Sequence, residues 1–401
     1  MIFEKPVPAQ NMQTYVLMNR NSYEGEAVEV QFVTCAQKQL KEKIQVSILH
    51  VNGELTNTEI FEYETNDTLT FKKVDLKTYD LPSGDYLVEW KSLSGKSAGQ
   101  IELTIFPYLF FEDLYDRLVV VKDNIEAGSY NTLLFLLNDL QQTHDNLRRY
   151  EYVPEYRKAV GRFLDMIQKA EQHQDIIPQK RGLFRRAYRM QFGQDLYPYS
   201  VHIPEGYKPA KKYPLLVFLH EQDRDDRALA DHLWYLPRDN YILLAPNGRG
   251  TRNCYTVKEA QVDILQAIRD VSRHYSIDST KIILTGYSMG GYGVYRTYYE
   301  TPEFFAGLAI FSGQPDLASH YFPAAGHPNF LYDEILTIFQ NIPIFIYHGK
   351  KDQSAPFKLT AELVKKLKAV GADVEFVIGE QAGHHLPSKE DVSRFQHWLR
   401  K

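Results

Sequence analysis

The stretch Lys281–Gly293, KIILTGYSMGGYG, leaves few folds open to this chain. A short apolar strand runs straight into a glycine-flanked serine and then into a helix-forming run. Gly286-Tyr287-Ser288-Met289-Gly290 fits the pattern G-x-S-x-G. The pattern has a mechanical meaning: the serine sits on a strained strand-to-helix turn that lifts its hydroxyl clear of a sheet, and the glycines remove side chains that would collide there. Ser288 is therefore the candidate nucleophile. The amide of Met289, at the free N-terminus of the following helix, is the candidate for one half of an oxyanion hole. Gly95-Lys96-Ser97-Ala98-Gly99 fits the same pattern. It lies in a polar, turn-like run with no apolar strand before it and no helix former after it, so Ser97 reads as a loop serine.

A chain of 401 residues is too long for one ordinary core, and about 150 residues per domain suggests two or three. Hydrophobic residues make up 44% and charged residues 24%, with a formal charge of −5. No basic field is present to attract nucleic acid or anionic lipid. The start, MIFEKPVPAQNMQTYVLMNR, has no basic region followed by a continuous apolar one, and no membrane-length apolar run occurs anywhere. The expectation is a cytoplasmic protein without a membrane span, although a trimmed secreted form would read the same. Two distant cysteines, Cys35 and Cys254, speak against a structural disulfide or a zinc site.

Between about residues 10 and 106, short runs alternate apolar and polar positions: Thr14–Met18, Ala27–Val33, Lys43–Val51, Glu59–Tyr63, Leu69–Val74, Tyr86–Ser92 and Gly99–Phe106. Turn signals such as Asn52-Gly53, Asn66-Asp67 and Pro82-Ser83-Gly84-Asp85 separate them, which predicts an antiparallel β-sandwich over 1–106. The segment LPSGDYLVEW resembles the late strand of bacterial immunoglobulin-like modules. No chemical constellation stands out in this region, and a structural or docking module is the expectation.

After Pro107 the apolar period changes to three or four, as in Leu133, Leu136, Leu137 and Leu140. Three amphipathic helices are predicted, broken near Gly128-Ser129 and Val153-Pro154, as a helical connector over 107–186. The basic run Gln179–Arg186 reads as a solvated bridge. From 187 to 401, strands alternate with helices. Strands are expected at Tyr197–Pro204, Leu215–Leu219, Tyr241–Ala245, Ile282–Thr285, Ala306–Phe311, Ile344–Tyr347 and Val374–Ile378. Helices are expected over Lys258–Tyr275, after Ser288, over Leu359–Val370 and over Lys389–Arg400. Such alternation means a mostly parallel sheet covered on both faces, with ligands at the carboxyl ends of its strands.

A serine hydroxyl needs a base within hydrogen-bond reach, itself oriented by a carboxylate. Downstream of Ser288, the apolar run Ile344–Tyr347 leads to His348-Gly349-Lys350-Lys351-Asp352, and Val374–Ile378 leads to Gly383-His384-His385. Both groups follow strand ends, and the order Ser, Asp, His is one that an elbow serine uses. This region, a little over half of the chain, resembles the α/β-hydrolase superfamily, in particular the esterases and prolyl-oligopeptidase-like hydrolases with a G-x-S-M-G-G elbow, an H-G-x-x-D acid loop and a G-H histidine loop. The resemblance implies Asp352 as the triad acid, ahead of Asp316 and Asp333. It favours His384 over His385 as the base, because the family's histidine follows a glycine directly. His348 reads as a structural histidine and Asp263 as a structural aspartate.

In one place the chain departs from the family. The loop after the first core strand carries glycines in the relatives, whereas here it reads His220-Glu221-Gln222-Asp223-Arg224-Asp225-Asp226. An amide of Glu221 or Gln222 is then the second oxyanion donor. The carboxylates nearby are either offset by Arg224 or Arg227 or belong to a solvated charge run. Tyr287, Gln314, Tyr321 and Phe322 are candidates for the pocket wall. The expectation is an α/β fold: a sandwich, a connector and an α/β-hydrolase domain that cleaves carboxylic esters through an acyl-enzyme with Ser288, His384 and Asp352. A small-molecule ester is the expected partner, and no metal or organic cofactor is implied. The rival readings are a short-peptide hydrolase of the prolyl-oligopeptidase type and a non-catalytic binding protein with an impaired oxyanion hole.

Overall fold

The computed structural model describes residues 12–66, 69–94, 97–147, 153–190, 193 and 195–401. Asp67 of one expected turn and Gly95-Lys96 of the second serine motif lie outside the described residues. The chain divides into two compact units: residues up to Val119 together with Leu136–Gln168, and Val120–Phe135 together with Lys169–Lys401.

In the first unit, strands β1 (Met12–Met18), β2 (Asn21–Tyr23), β3 (Val28–Ala36), β4 (Lys41–His50), β5 (Leu55–Glu64), β6 (Leu69–Leu76), β7 (Gly84–Ser92) and β8 (Ala98–Phe106) form two sheets. The three-stranded sheet has the order β1-β3-β6 and the five-stranded sheet the order β2-β8-β7-β4-β5. All pairs are antiparallel except the short β2 beside β8. The period-two pattern produces this directly: Val28, Val30 and Phe32 point inward from one sheet, and Ile44, Val46, Ile48, Tyr86 and Val88 from the other, around one shared core. In the LPSGDYLVEW segment Tyr86 is wholly buried, and its hydroxyl donates to the Pro82 carbonyl at 2.7 Å. Ser97 lies between β7 and β8, and its Oγ accepts from the Thr14 amide at 3.0 Å.

Helices α1 (Phe111–Val121), α2 (Ala127–Asp145) and α3 (Pro154–Glu171) follow. They are shared between the two units and do not form a third, contrary to the expected connector. Pro154 opens α3, where its missing N–H costs nothing. Gly128 does not break a helix; it lies in the first turn of α2. A Cβ there would come within 2.3 Å of His274 Nε2, so the glycine serves close approach and not a turn.

The second unit is built on an eight-stranded sheet of order β16-β15-β14-β13-β11-β12-β10-β9. Its strands are β9 (Gly182–Arg189), β10 (Leu196–Ile203), β11 (Tyr213–Leu219), β12 (Ile242–Pro246), β13 (Ile277–Tyr287), β14 (Gly307–Phe311), β15 (Pro343–Gly349) and β16 (Asp373–Gly379). The pairs β9–β10 and β10–β12 are antiparallel and the remaining pairs parallel. Its helices are the short α4 (Leu229–His232), α5 (Lys258–His274), α6 (Met289–Glu300), the short α7 (Leu317–Tyr321) and α8 (Asp333–Leu336), α9 (Phe357–Ala369) and α10 (Lys389–Trp398). The central strands read as continuous apolar runs because both faces are covered. In β11, Leu215, Val217 and Leu219 face one core, while Leu216 and Phe218 face a second one that includes Phe395 and Trp398 of α10. Among the described residues no helix is long and apolar enough to cross a membrane.

The sheet starts at Gly182, earlier than the sequence suggests, and the supposed solvated basic run supplies the start of β9. Strand alternation sends the adjacent Arg185 and Arg186 to opposite faces. Arg185 places Nε and Nη2 at 2.8 and 2.9 Å from the Asp226 carboxylate, which is fully buried and also accepts from Ser200 Oγ and Asn247 Nδ2. Arg186 is wholly buried, with its guanidinium over the Tyr275 ring and Nη1 donating to the Tyr275 hydroxyl at 3.3 Å, while Nε and Nη2 have no hydrogen-bond partner among the described residues. Arg185 enters the core because its charge is matched by Asp226. Asp226→Ala is expected to lower the stability of the full chain by roughly 3–5 kcal/mol, because it removes the buried carboxylate that Arg185, Ser200 and Asn247 all bind. Urea unfolding monitored by circular dichroism measures this; a loss below about 1 kcal/mol, typical of a surface pair, would mean that Arg185 swings out to water.

Candidate active site

Ser288 sits between β13 and α6 at φ +54°, ψ −115°, a region that a side chain adopts only under strain. The neighbouring glycines impose it. A Cβ on Gly286 would lie 2.3 Å from the Gly290 carbonyl oxygen, and one on Gly290 only 1.9 Å from the Leu219 carbonyl oxygen. No other residue fits either position without moving a strand.

Asp352 lies beyond β15 and His384 beyond β16. His384 Nε2 is 2.8 Å from Ser288 Oγ, and His384 Nδ1 is 2.7 Å from Asp352 Oδ2. The structure thus brings together the three residues from separate strand ends. His385 is exposed and takes no part in this chain of hydrogen bonds. The Asp352 side chain is fully buried, and its Oδ1 accepts from the amides of Ser354 and Ala355 at 2.9 and 2.8 Å. Burial alone would raise its pKa; hydrogen bonds from His348, His384 and the Ala355 amide outweigh burial and hold it well below the usual carboxylate range. Asp352 is therefore held in its charged form at neutral pH. The stability this contributes is complete above the ordinary carboxylate value and is lost as pH falls through the lowered one.

Two supports were hidden in the sequence. His348, read as a structural histidine, is buried with Nε2 2.8 Å from the Ala355 carbonyl and 3.3 Å from Asp352 Oδ2, so it fixes the acid loop. Tyr287, a candidate for the pocket wall, instead holds the base. Its ring lies 5.4 Å from the His384 ring at 29°, and its hydroxyl donates to the His384 carbonyl at 3.0 Å.

A cavity of about 110 Å³ opens beside Ser288, lined by Gln222, Met289, Ser312, Gln314, Leu317, Tyr321, Ser354, Ala355 and His384. Gln314 and Tyr321 lie where the sequence suggests. Phe322 is not among the lining residues; it is partly exposed and meets His327 edge-on. Ser312 belongs to the stretch Phe311-Ser312-Gly313-Gln314, whose place in the sequence suggests contact with substrate; it has φ +48° and a buried Oγ without a partner among the described residues. Its signal in the sequence was only its place directly after β14, at the sheet end that carries Ser288. Asp316 accepts from Gln314 Nε2 at 2.7 Å, and Asp333 pairs with Lys366. No cluster of His, Cys, Asp or Glu among the described residues could hold a metal ion.

Residues 232–401 match the model of the prolyl oligopeptidase family. The chain is 23% identical over 155 residues to the dipeptidyl peptidase family member 1 of Caenorhabditis elegans, covering 36% of this chain and 19% of that protein. It is 23% identical over 201 residues to a probable dipeptidyl-aminopeptidase B of Talaromyces marneffei, covering 42% and 22%. The chain spans about a fifth of the length of the curated relatives it matches. Among solved structures, a thermostable esterase aligns over 98% of this chain and 99% of its own at TM-score 0.43 and 16% identity. The fluorophosphonate-binding serine hydrolase FphF of Staphylococcus aureus aligns over 55% and 98% at TM-score 0.46 and 16% identity. Over residues 232–401 the chain is thus similar to the prolyl oligopeptidase family, and Ser288, Asp352 and His384 all lie within that stretch.

The glycine-free loop after β11 is cross-linked by charge. The Glu221 carboxylate turns away from the cavity to His232, whose Nε2 is 3.2 Å away, while His232 Nδ1 meets the Tyr235 hydroxyl at 3.1 Å. Burial alone would raise the Glu221 pKa, but the His232 hydrogen bond and the charges of His232 and Arg224 hold it below its usual value. The Tyr255 hydroxyl donates to the His220 carbonyl at 3.1 Å, which fixes the plane of the His220–Glu221 peptide. Gln222, not Glu221, lines the cavity.

The charge run is not simply solvated. Asp223 pairs with Arg252, Arg224 with Asp231, Asp225 with Arg227, and Asp226 with Arg185. Each carboxylate has its own cation, so none is left to oppose an oxyanion. Asp263, as expected, is structural, accepting from Tyr188 Oη at 2.6 Å and the Gly248 amide at 2.8 Å.

Glu221→Ala is expected to lower turnover of p-nitrophenyl acetate by about 10–100-fold, less than the roughly 10²–10³ of deleting a donor outright, because the loop loses its anchor and keeps its amides. Glu221→Gln, which still reaches His232, should retain most of it. Equal turnover in all three proteins would show that the loop holds its shape without this pair.

Proposed function

We propose that the protein hydrolyses carboxylic esters with a short acyl group through an acyl-enzyme. The single observation that carries this is the continuous chain Ser288 Oγ, His384 Nε2, His384 Nδ1 and Asp352 Oδ2, with both links below 3 Å. His384 Nε2 accepts the Ser288 proton as Oγ attacks the ester carbonyl. Asp352 steadies the resulting imidazolium and keeps Nδ1 protonated. The amides of Met289 and of the loop after β11, where Gln222 lines the cavity, serve the oxyanion. His384 then gives its proton to the departing alcohol. Water, deprotonated by His384, attacks the acyl carbon, and collapse returns the proton to Oγ and frees the acid.

The small cavity supports the choice of substrate. Its 110 Å³ accommodates an acyl group of a few carbons and not the side chains that flank a scissile peptide bond. An alkoxide also leaves more readily than an amine, so a site without an extended cleft suffices for esters. The match of residues 232–401 to the prolyl oligopeptidase family favours the second reading, a short-peptide hydrolase using the same groups.

A fluorophosphonate probe is expected to label the wild type and not Ser288→Ala, and p-nitrophenyl acetate to be turned over faster than long-chain esters or dipeptide anilides. A preference for the anilides would establish the peptide reading, and a folded wild type that neither labels nor turns over any substrate would remove the enzyme reading. Asp352→Asn should fold and lose about 10⁴ in kcat, since its histidine is held in the wrong tautomer. His384→Ala should abolish turnover while His385→Ala spares it; the reverse pattern would reassign the base.

A further inference from the structure

A second cavity of the second unit, larger than the one beside Ser288, lies away from it. It has a volume of about 270 Å³, and its walls come from β9, β10, the loop after β12 and the first turns of α5. Tyr188, Met190, Tyr197 and Val262 give it an apolar lining, while Arg249, Lys258, Glu259 and Asp263 supply charge. None of the residues that line the catalytic cavity belongs to it.

Arg249 decides what this cavity suits. Its guanidinium carbon lies 4.0 Å from the centroid of the Tyr197 ring, a contact that uses none of its N–H donors. Nearby Arg185 of β9 and the loop arginines Arg224, Arg227 and Arg252 are all ion-paired with aspartates. Neither Arg249 nor Lys258 has a carboxylate partner among the described residues. The backbone holds Arg249 in place at some cost. It lies at φ +56° between Gly248 and Gly250, both also at positive φ. Gly248 is tied down at both ends: its amide donates to Asp263 and its carbonyl accepts from Asn253 Nδ2, each at 2.8 Å. Strain of this kind persists where the surroundings over-determine it.

The two acidic residues do not cancel the cations. Asp263 feels the Arg249 charge but makes no ion pair with it: its acceptors are spent on the Tyr188 hydroxyl and the Gly248 amide, and burial pushes its pKa up to about 6. Glu259 is exposed at the rim, where solvent screens it. The Tyr188 and Tyr197 rings, with centroids 5.4 Å apart and tilted by 32°, present an aromatic wall beside the guanidinium.

We propose that this cavity is a second ligand site, for a small carboxylate with an aromatic body, whose carboxylate meets the Arg249 edge and Lys258 while its ring lies against Tyr188, Met190 and Val262. A guanidinium fork matches a carboxylate in two parallel hydrogen bonds, and the apolar wall excludes water from one side of the pair. The site is independent of the ester reading, since it shares no residue with the catalytic cavity.

Titration calorimetry of benzoate into the Ser288→Ala protein tests it. Saturable one-to-one binding in the millimolar range or tighter is expected, with no binding of uncharged benzamide. Arg249→Gln and Lys258→Gln should each weaken it by roughly tenfold, and Glu259→Gln should tighten it. Unchanged circular dichroism and melting temperature verify that the variants fold; Lys258→Gln and Glu259→Gln alter exposed side chains and keep the test informative if Arg249→Gln does not. Absence of saturable benzoate binding, or binding that Arg249→Gln and Lys258→Gln leave unchanged, would overturn the proposal.

Discussion

The second unit depends on one backbone contact, between Gly290 at the start of α6 and the carbonyl of Leu219 at the end of β11. It is too close to admit any side chain. Gly291 repeats it just beyond the end of β14, where a Cβ would approach Gly313 Cα to 2.6 Å. The first turn of α6 is therefore wedged between the ends of β11 and β14, and Ser288 has no room to relax from its positive φ. Such strain costs of the order of 1–3 kcal/mol. The buried face of α6, with Val294, Tyr295 and Tyr298 packed into the larger core, offsets it. A hydroxyl held this rigidly meets His384 without first having to find it.

The same sheet end shows two ways of keeping charge where chemistry needs it. On the acid side, Asp352 is surrounded by donors, two amides and two imidazoles, so its charge is certain and its geometry fixed. On the oxyanion side the task is opposite, because negative charge has to be absent until the reaction supplies it. The loop after β11 solves this with ion pairs directed outward and with Glu221 drawn toward His232. Glycine would give that loop its conformation through freedom; here cross-links restrict a loop of ordinary residues.

How much of this was legible depended on whether the signal was local. The strands of the sandwich announced themselves by alternation, and those of the parallel sheet by unbroken apolar runs. Ser288 and Asp352 could be read because a strand end and a short motif fall next to each other in sequence. His384 was separable from His385 only by the preceding glycine. Strand β9 was missed because Arg185 and Arg186 look solvent-bound until Asp226 and Tyr275, distant in sequence, are placed opposite them. Tyr287 was misplaced for a related reason: it acts on His384 through a contact that no spacing rule encodes. The glycine at 128 marked a close approach to His274 and not the turn that composition suggests. Buried polar pairing and backbone proximity are long-range properties, and one sequence carries little trace of them.

The loop from Asn247 to Tyr255 links these threads. The Asn247 carbonyl lies 3.0 Å from His220 Nε2, and the Tyr255 hydroxyl holds the His220 carbonyl, so both ends of this loop brace the oxyanion segment. Between them Arg249 reaches over Tyr197, and Arg252 pairs with Asp223. Arg249, Cys254 and Tyr255 all have positive φ. A loop that carries three such residues has few other conformations open to it while the contacts at its ends persist. Stiffness in this loop serves two masters: it fixes the backbone that the oxyanion donors belong to, and it presents Arg249 to the larger cavity. Because Gly248 is hydrogen-bonded to Asp263 while lying against His220, a rearrangement on either side has to pass through the same strained turn.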